Sequence, residues 1–488
     1  MFDSVILQMI HKWWQWVAPG LLFLVNSIAT YHIIMNKRDT RAAIGWLGLT
    51  WFSPGIGAIL YFMFGINRIR RKARGKFEDA WGSPNPKHSN RDHVESIGNE
   101  IQSTVDHLKP LRHLVNELTE LPLVGNNFVK PYKTGEESYS SMIDAINQAE
   151  HSVTLCVYIF DRDRAGERFV KALKRARERG VQVRVLVDDI GAKYSFPTIL
   201  RRLQSENIPS DRFMKSLLPW HAQYYNLRNH RKILVVDGEI GFTGGMNITQ
   251  ENLIDDDQKI PTRDLHFKLI GPIVTQLQKS FVEDWAFCTN EYLSGDPWFR
   301  EPLREGDVLA RGVADGPDEE DDRIRYTMLG AIVNAQSSIR IVTPYFLPDS
   351  ELSTALRLAS MAGISTEVVI PEHCELHMVQ WASNAHLEEL HNSGVKIYRT
   401  PTPFDHSKLM MVDNCWSFLG SANWDPRSLK LNFEFNVECY SPSLANQLNE
   451  HFEAKKQHGK RLTREELNKR NLVTRFRDNS FRLLSPYL

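Results

Sequence analysis

Two long apolar runs open the chain, and short apolar stretches alternating with amphipathic ones fill most of the rest. Residues 13–35 carry no formal charge apart from the ionisable His32, and residues 42–66 carry none. Crossing a bilayer takes roughly 20 apolar residues, so the two runs predict an N-terminal transmembrane helical hairpin. Trp13, Trp14, Trp16, Trp46, Trp51 and Tyr61 include candidates for interfacial anchors. Pro54, Gly55 and Gly57 should kink the second run or make it re-entrant. A cleaved signal peptide fits less well. The first run is too long, Asp3 is misplaced, and no small-residue cleavage site precedes the second run.

From residue 138 onward the pattern is α/β. Helix is expected over 140–150, strand over 153–160, a basic amphipathic helix over 167–179, strand over 181–187 and helix over 199–205. Strand 266–270 and helix 272–287 follow. The second half repeats the order, with helix 324–335, strand 339–346, helix 351–361, strand 366–370, helix 378–391 and strand 395–398. The alternation predicts parallel strands with flanking helices, in two duplicated lobes. The domain limits that follow are 1–76 for the hairpin and its basic flank, 77–130 for a polar connector with a helix near 94–119, 131–300 and 301–460 for the lobes, and 461–488 for a basic, aromatic tail. Another helix is expected over 444–453. The tail suits either an interfacial membrane contact or packing on the domain.

Within each lobe one stretch recurs. His230, Lys232, Asp237, Gly244 and Asn247 have the same spacing as His406, Lys408, Asp413, Gly420 and Asn423. Four apolar residues separate Lys from Asp both times. In an extended strand, residues two apart face the same side, so each copy sets an imidazole beside an ammonium. Asp237-Gly238 is a turn signal and Asp413-Asn414 a weaker one. The returning strand and its small-residue bend can bring Asn back beside His and Lys. Two such half-sites suit a phosphodiester, with one His as nucleophile, one as acid, and cations and amides on the non-bridging oxygens. A pair of core hairpins with surface His and Lys is the bland alternative, and the repetition weighs against it.

Charge and composition refine this picture. Lys37, Arg38 and Arg41, partly offset by Asp39, lie between the apolar runs; Arg68, Arg70, Arg71, Lys72, Arg74 and Lys76 follow the second. The larger cluster predicts that everything after it is cytoplasmic, and it would attract anionic head groups. The chain has 59 Lys plus Arg against 59 Asp plus Glu, so it lacks the basic excess of many nucleic-acid binders. Asp318 to Asp322 reads as a solvated acidic surface segment near the junction of the lobes. Cys156, Cys288, Cys374, Cys415 and Cys439 are scattered and odd in number, as expected of thiols in a reducing compartment. His373 and His377, four apart, have zinc-ligand spacing but no nearby third ligand, and read as surface residues.

The paired motifs resemble the HKD signature of the phospholipase D superfamily. The N-terminal hairpin, Thr343-Pro344-Tyr345-Phe346 and Leu431-Asn432-Phe433-Glu434 narrow the resemblance to bacterial cardiolipin synthases of that type. It implies an α/β fold of two lobes, each a mixed sheet flanked by helices, in a multi-pass protein of the bacterial inner membrane. It implies that His230 forms a phosphatidyl-histidine and that His406 acts as acid and then base; the spacing alone does not tell them apart. Lys232, Lys408, Asn247, Asn423 and Ser421 would hold phosphoryl oxygens. Asp264 and Glu434, each downstream of a motif, would orient that motif's histidine. Asp237 and Asp413 share the motif's name, although their place after the strand suits a structural part. No cofactor or metal is implied, because two lysines supply the positive charge. The expected partners are phosphatidylglycerol, other anionic phospholipids and the bilayer, without nucleic acid. The expected reaction joins two phosphatidylglycerols into cardiolipin and glycerol. A phospholipase D hydrolysing lipid to phosphatidate, a nuclease and an inactive lipid-binding scaffold are the alternatives. Intact His, Lys and Asn in both copies argue against the scaffold, and the lack of an aromatic-interleaved basic stripe argues against the nuclease.

Overall fold

The computed structural model describes residues 2–37, 40–65, 105–214, 227–253, 261–317 and 322–485. The basic cluster at 68–76, the connector up to 104, the acidic run at 318–321 and residues 486–488 lie outside them. The chain divides into two compact units, one of Met1–Arg71 with Ser216–Asn226, the other of Lys72–Lys215 with Leu227–Leu488.

In the first unit, the helix Phe2–Asn36 contains one stretch, Trp16–Asn36, that is long and apolar enough to cross a membrane. The second apolar run breaks where proline and glycine predicted. Helix Thr40–Phe52 stops before Pro54, and Ile56–Leu60 leads into a π-helical turn, Tyr61–Gly65. Polar groups link the two runs. Asn26 Oδ1 accepts from the Gly55 amide (3.2 Å), Trp51 Nε1 donates to Thr30 Oγ1 (3.0 Å), and Tyr61 Oη lies 2.7 Å from His32 Nδ1. Such bonds satisfy groups that lipid cannot. Leu21, Phe23, Ile34 and Met35 stay exposed.

The second unit is built on a sheet. Strands β1 (Val124–Tyr132), β2 (Ser152–Val157), β3 (Gln182–Asp188), β4 (Ser210–Phe213), β5 (Arg228–Asn229), β6 (Ile233–Val236), β7 (Ile240–Gly244), β8 (Thr262–Arg263) and β9 (His266–Ile270) belong to the first lobe. The second lobe has β10 (Val308–Asp315), β11 (Ser338–Val342), β12 (Ser365–Pro371), β13 (Lys396–Thr400), β14 (Phe404–Asp405), β15 (Leu409–Val412), β16 (Trp416–Gly420), β17 (Asn432–Tyr440) and β18 (Lys460–Arg461). The long path runs β18-β13-β12-β11-β15-β16-β17-β10-β1-β9-β7-β6-β2-β3-β4. It reads alike from either end, apart from the edge strand β18, and its halves meet where β1 and β10 pair antiparallel. The duplication is therefore structural. The expected parallel pairing holds for β2, β3 and β4 and for β11, β12 and β13. The hairpins β6-β7 and β15-β16 and the central strands are antiparallel, so the sheet is mixed.

Three central strands were not evident from the pattern, β1, β10 and β17. β1 begins inside the 77–130 segment expected to be connector, and its Gly125, Asn126, Asn127 and Pro131 disguise it. β17 is buried along its whole length although it contains Glu434 and Glu438. Arg311 of β10 answers Glu438 with Nη2 2.5 Å away, and both side chains are fully buried. Removing one partner of such a pair costs about 3–5 kcal/mol. The tail forms a helix, Leu472–Leu483, with two faces. One packs on the helix His377–Asn392, with Phe481 4.9 Å from the Trp381 ring and the Arg477 guanidinium 4.6 Å above it. The other leaves Leu472, Val473, Phe476 and Leu483 exposed.

Candidate active site

Two short pairings between the lobes build the site. β5 runs parallel to the start of β17, with Arg228 opposite Asn432 and Asn229 opposite Phe433. β8 runs parallel to β14, with Thr262 opposite Phe404 and Arg263 opposite Asp405. Each ladder gains one more bond at the residue that follows. The His230 amide donates to Phe433 O (2.9 Å), and the His406 amide donates to Arg263 O (2.7 Å). Each accepting carbonyl immediately precedes a carboxylate residue, so the carboxylate meets the histidine of the other lobe. Nδ1 of His230 lies 3.0 Å from both oxygens of Glu434, and Nδ1 of His406 lies 2.8 Å from Asp264 Oδ2. The expectation that each carboxylate orients the histidine of its own motif is corrected: the pairing is crossed.

The two half-sites differ in support. Glu434 also accepts from Ser421 Oγ (2.5 Å), Ser428 Oγ (2.8 Å) and Asn432 Nδ2 (3.1 Å). Ser421, expected at the phosphate, thus spends its hydroxyl on Glu434, while that oxygen also accepts from the Phe435 amide. In the first lobe Gly245 stands in its place. A Cβ there would lie 2.2 Å from Asp264 Oδ1, so the shorter carboxylate occupies the space a serine would need. Asp264 accepts from its neighbour's amide, Leu265 N, at 2.7 Å.

Both lysines are buried. Lys232 Nζ donates to His230 O (2.7 Å) and sits 5.6 Å from the Tyr158 ring centre. Lys408 Nζ donates to His406 O and lies 2.7 Å from His406 Nδ1 and 3.7 Å from Asp264. Nδ1 of His406 therefore faces a proton acceptor and a proton donor, and a neutral ring satisfies only one at a time. Nδ1 of His230 faces an acceptor alone.

Burial and charge set the protonation states. Burial lowers the pKa of His230 against the pull of Glu434. Burial and then Lys408 bring His406 down to about 4, against Asp264. Burial pushes Lys232 down to about 7 and Lys408 to about 8, with Glu434 and Asp264 opposing. Glu434 is held at about 2 because His230, Lys232 and the Ser421 hydroxyl outweigh its burial. These shifts leave both rings neutral near pH 7. A bound phosphate anion would raise the lysines and histidines together.

His230, His406, Asn247 and Asn423 line one cavity of about 340 Å³. Asn247 Oδ1 accepts from the Ile159 amide (3.2 Å), which turns its NH2 group elsewhere. Among the described residues, Asn423 Oδ1 is buried without a hydrogen-bond partner. With each Nδ1 engaged, Nε2 is the nitrogen each ring can use. Tyr158 and Tyr345 set their rings against His230 and His406, with centroids 5.3 and 6.1 Å away. Neither tyrosine, nor Arg228 and Arg427 of the same cavity, was picked out as a site residue. The pairing of β5 with β17, which brings Arg228 to the site, is invisible in one dimension.

Asp237 and Asp413 do not line this cavity. Both have positive φ, 55° and 53°, at the far ends of the β6-β7 and β15-β16 hairpins. Asp237 accepts from the amides of Glu150, His151 and Ser152, and Asp413 from those of Gln336, Ser337 and Ser338. They fasten the turns to the loops before β2 and β11, and their grouping with the catalytic residues is corrected. His373 and His377 are exposed, and the His377 ring stacks near Trp381.

A family model described as "Cardiolipin synthase, PLD-like domain" matches residues 142–285 and 328–456, and one described as "Phospholipase D-nuclease N-terminal" matches residues 24–65. The chain is 30% identical over 502 residues to a cardiolipin synthase of Geobacillus thermodenitrificans, covering 99% of this chain and 97% of that one. It is 31% identical over 487 residues to cardiolipin synthase 1 of Bacillus cereus, covering 96% and 94%. Among solved structures, phosphatidylserine synthase of Haemophilus influenzae shares the fold, with a TM-score of 0.62 and 14% identity over 78% of this chain and 100% of that one.

Proposed function

This chain belongs to the phospholipase D-like cardiolipin synthase family of phosphatidyltransferases, and we propose that it joins two phosphatidylglycerols into cardiolipin and glycerol. The observation that carries this is the crossed pair of carboxylate-held imidazoles, with two buried lysines, around one cavity. His230 Nε2 attacks the phosphorus of the donor lipid. The bond to the glycerol oxygen breaks, and His406, protonated because the lipid phosphate raises its pKa, gives that oxygen a proton. A hydroxyl of the second phosphatidylglycerol then loses its proton to His406 and attacks the phosphorus. The N–P bond breaks and His230 is restored. Glu434, with four side-chain donors and, among the described residues, no lysine hydrogen-bonded at His230 Nδ1, suits a ring locked as a nucleophile. The dual surroundings of His406 Nδ1 suit a ring that gains and loses a proton.

Lys232, Lys408, Asn247 and Asn423 hold the non-bridging oxygens, and the chemistry is metal-independent. The N-terminal hairpin anchors the enzyme in the bacterial inner membrane and leaves the lobes cytoplasmic. A reporter fused after Leu488 should then behave as cytoplasmic, and a periplasmic signal would reverse this topology. The chain in detergent micelles with phosphatidylglycerol and a chelator should yield cardiolipin and glycerol. Phosphatidate as the main product would make it a hydrolase, and loss of activity on chelation would overturn the metal-free scheme. His230→Ala and His406→Ala should each abolish turnover; near-normal activity in either breaks the two-histidine mechanism.

A further inference from the structure

Besides the two imidazoles, two guanidiniums line the cavity, those of Arg228 and Arg427. Arg228 lies in β5, two residues before His230, and the His230 amide continues the β5 ladder. Residues two apart in a strand face one side and are separated by roughly 6.6–6.8 Å. Arg427 comes from the helix Pro426–Lys430, which Ser428 ties to Glu434. Both arginines line one cavity, where burial and then the Arg228 charge lower the pKa of Arg427 against Tyr158, Asp425 and Asp188. Arg228 Nη1 donates to Leu227 O (2.7 Å), and among the described residues no carboxylate lies in ion-pair range of it. Asp188, whose charge reaches it, is occupied by the amides of Ile190, Gly191 and Asn229. Four carboxylates line the cavity too: Asp161, Glu251 and Glu375, a group whose charges repel one another, and Asp425, whose charge acts on Arg427. Two guanidiniums with planar donor forks on one cavity are matched by a phosphate.

We propose that Arg228 and Arg427 form a second phosphate subsite, which holds the acceptor lipid's own phosphate beside the phosphorus under attack. The subsite rests on the transfer reaction proposed above and names what selects its acceptor. The donor presents one phosphate and a glycerol headgroup, so forming the phosphatidyl-histidine engages only the His and Lys groups. The acceptor brings a second phosphate, joined to its attacking hydroxyl by a three-carbon bridge. Water and simple alcohols bring none. The arginines thus favour a lipid acceptor at the step where transfer and hydrolysis diverge.

The test is a partition experiment on the full chain in mixed micelles of phosphatidylglycerol with added ethanol. Cardiolipin, phosphatidylethanol and phosphatidate all draw on one intermediate, so their ratio reads acceptor choice whatever the total rate. Arg228→Gln should lower the ratio of cardiolipin to the other two products by roughly 10- to 100-fold, the range for losing a charged hydrogen bond. Arg228→Lys, which keeps charge but not the fork, should fall between, and Arg427→Gln should act in the same direction. An unchanged ratio in Arg228→Gln, in an enzyme whose wild type makes cardiolipin, overturns the subsite. A wild type that makes only phosphatidate overturns the transfer reaction itself, and the subsite with it.

Discussion

Replacing Glu434 by Gln tests the crossed pairing most directly. The carboxylate is fully buried and receives four side-chain donors, from His230, Ser421, Ser428 and Asn432. Gln keeps the shape but offers one oxygen and an NH2 group that must face a donor. Losing a charged hydrogen bond costs about 1.5–3 kcal/mol, and leaving one buried donor unmatched costs about 1–3 kcal/mol more. If both losses fall on the transition state, turnover drops by roughly 10² to 10⁴. A comparable loss, ~10⁴, follows when the carboxylate behind a catalytic histidine in serine proteases becomes an amide. The site of the damage is the sharper readout. Histidine-directed acylation followed by peptide mass mapping reports the reactivity of each free ring nitrogen. Glu434→Gln should change the labelling rate of His230 and spare His406, and Asp264→Asn should do the reverse. If Glu434→Gln alters His406 instead, or leaves turnover within a few-fold of wild type, the crossed assignment fails.

Further expectations follow from the same geometry. Asp237→Asn weakens three amide contacts at a turn, so it should lower stability by about 1–3 kcal/mol and leave kcat per folded molecule near wild type. A large loss of kcat at unchanged melting temperature would return Asp237 to the chemistry. With Lys232 held at about 7 and Lys408 at about 8, the cationic forms exist below these values and are lost as pH rises through them. Therefore kcat/KM for phosphatidylglycerol should fall across that interval, and the kcat limb should lie further alkaline because bound phosphate favours the charged amines. A kcat/KM flat over the same range would contradict the burial of these lysines. Gly245→Ser puts a Cβ 2.2 Å from Asp264 Oδ1, and the displaced carboxylate should reduce turnover by about 10² or more. Wild-type rates in that variant would show that Asp264 tolerates displacement.

The hairpins were legible because two copies share their spacing and because Asp-Gly and Asp-Asn mark the turns. At Asp413 and Asn414 φ is 53° and 52°, the positive values a tight two-residue turn requires. The identity of the orienting carboxylates was legible too, but not which histidine each serves. That depends on β5 meeting β17 and β8 meeting β14, and two-residue strands leave no periodicity to detect. Ser421 misled through its place in the motif, since its hydroxyl points at Glu434. β17 escaped notice because its buried charges are answered by residues remote in sequence, His230 and Arg311.

The crossed carboxylates also carry a history. Contacts in which each half completes the other's site are what a two-fold, self-complementary interface produces. A single lobe meeting its own copy would give the same exchange, with every half-site finished by its neighbour. Once two lobes share a chain, the two sides of that interface are free to diverge, and they have done so. Gly245 faces Asp264 where Ser421 faces Glu434. His266 sits opposite Gly244, where Asn436 sits opposite Gly420 and accepts from the amides of Ser421 and Ala422. The chain keeps the symmetry of such an interface within one sheet and shows where its two halves differ.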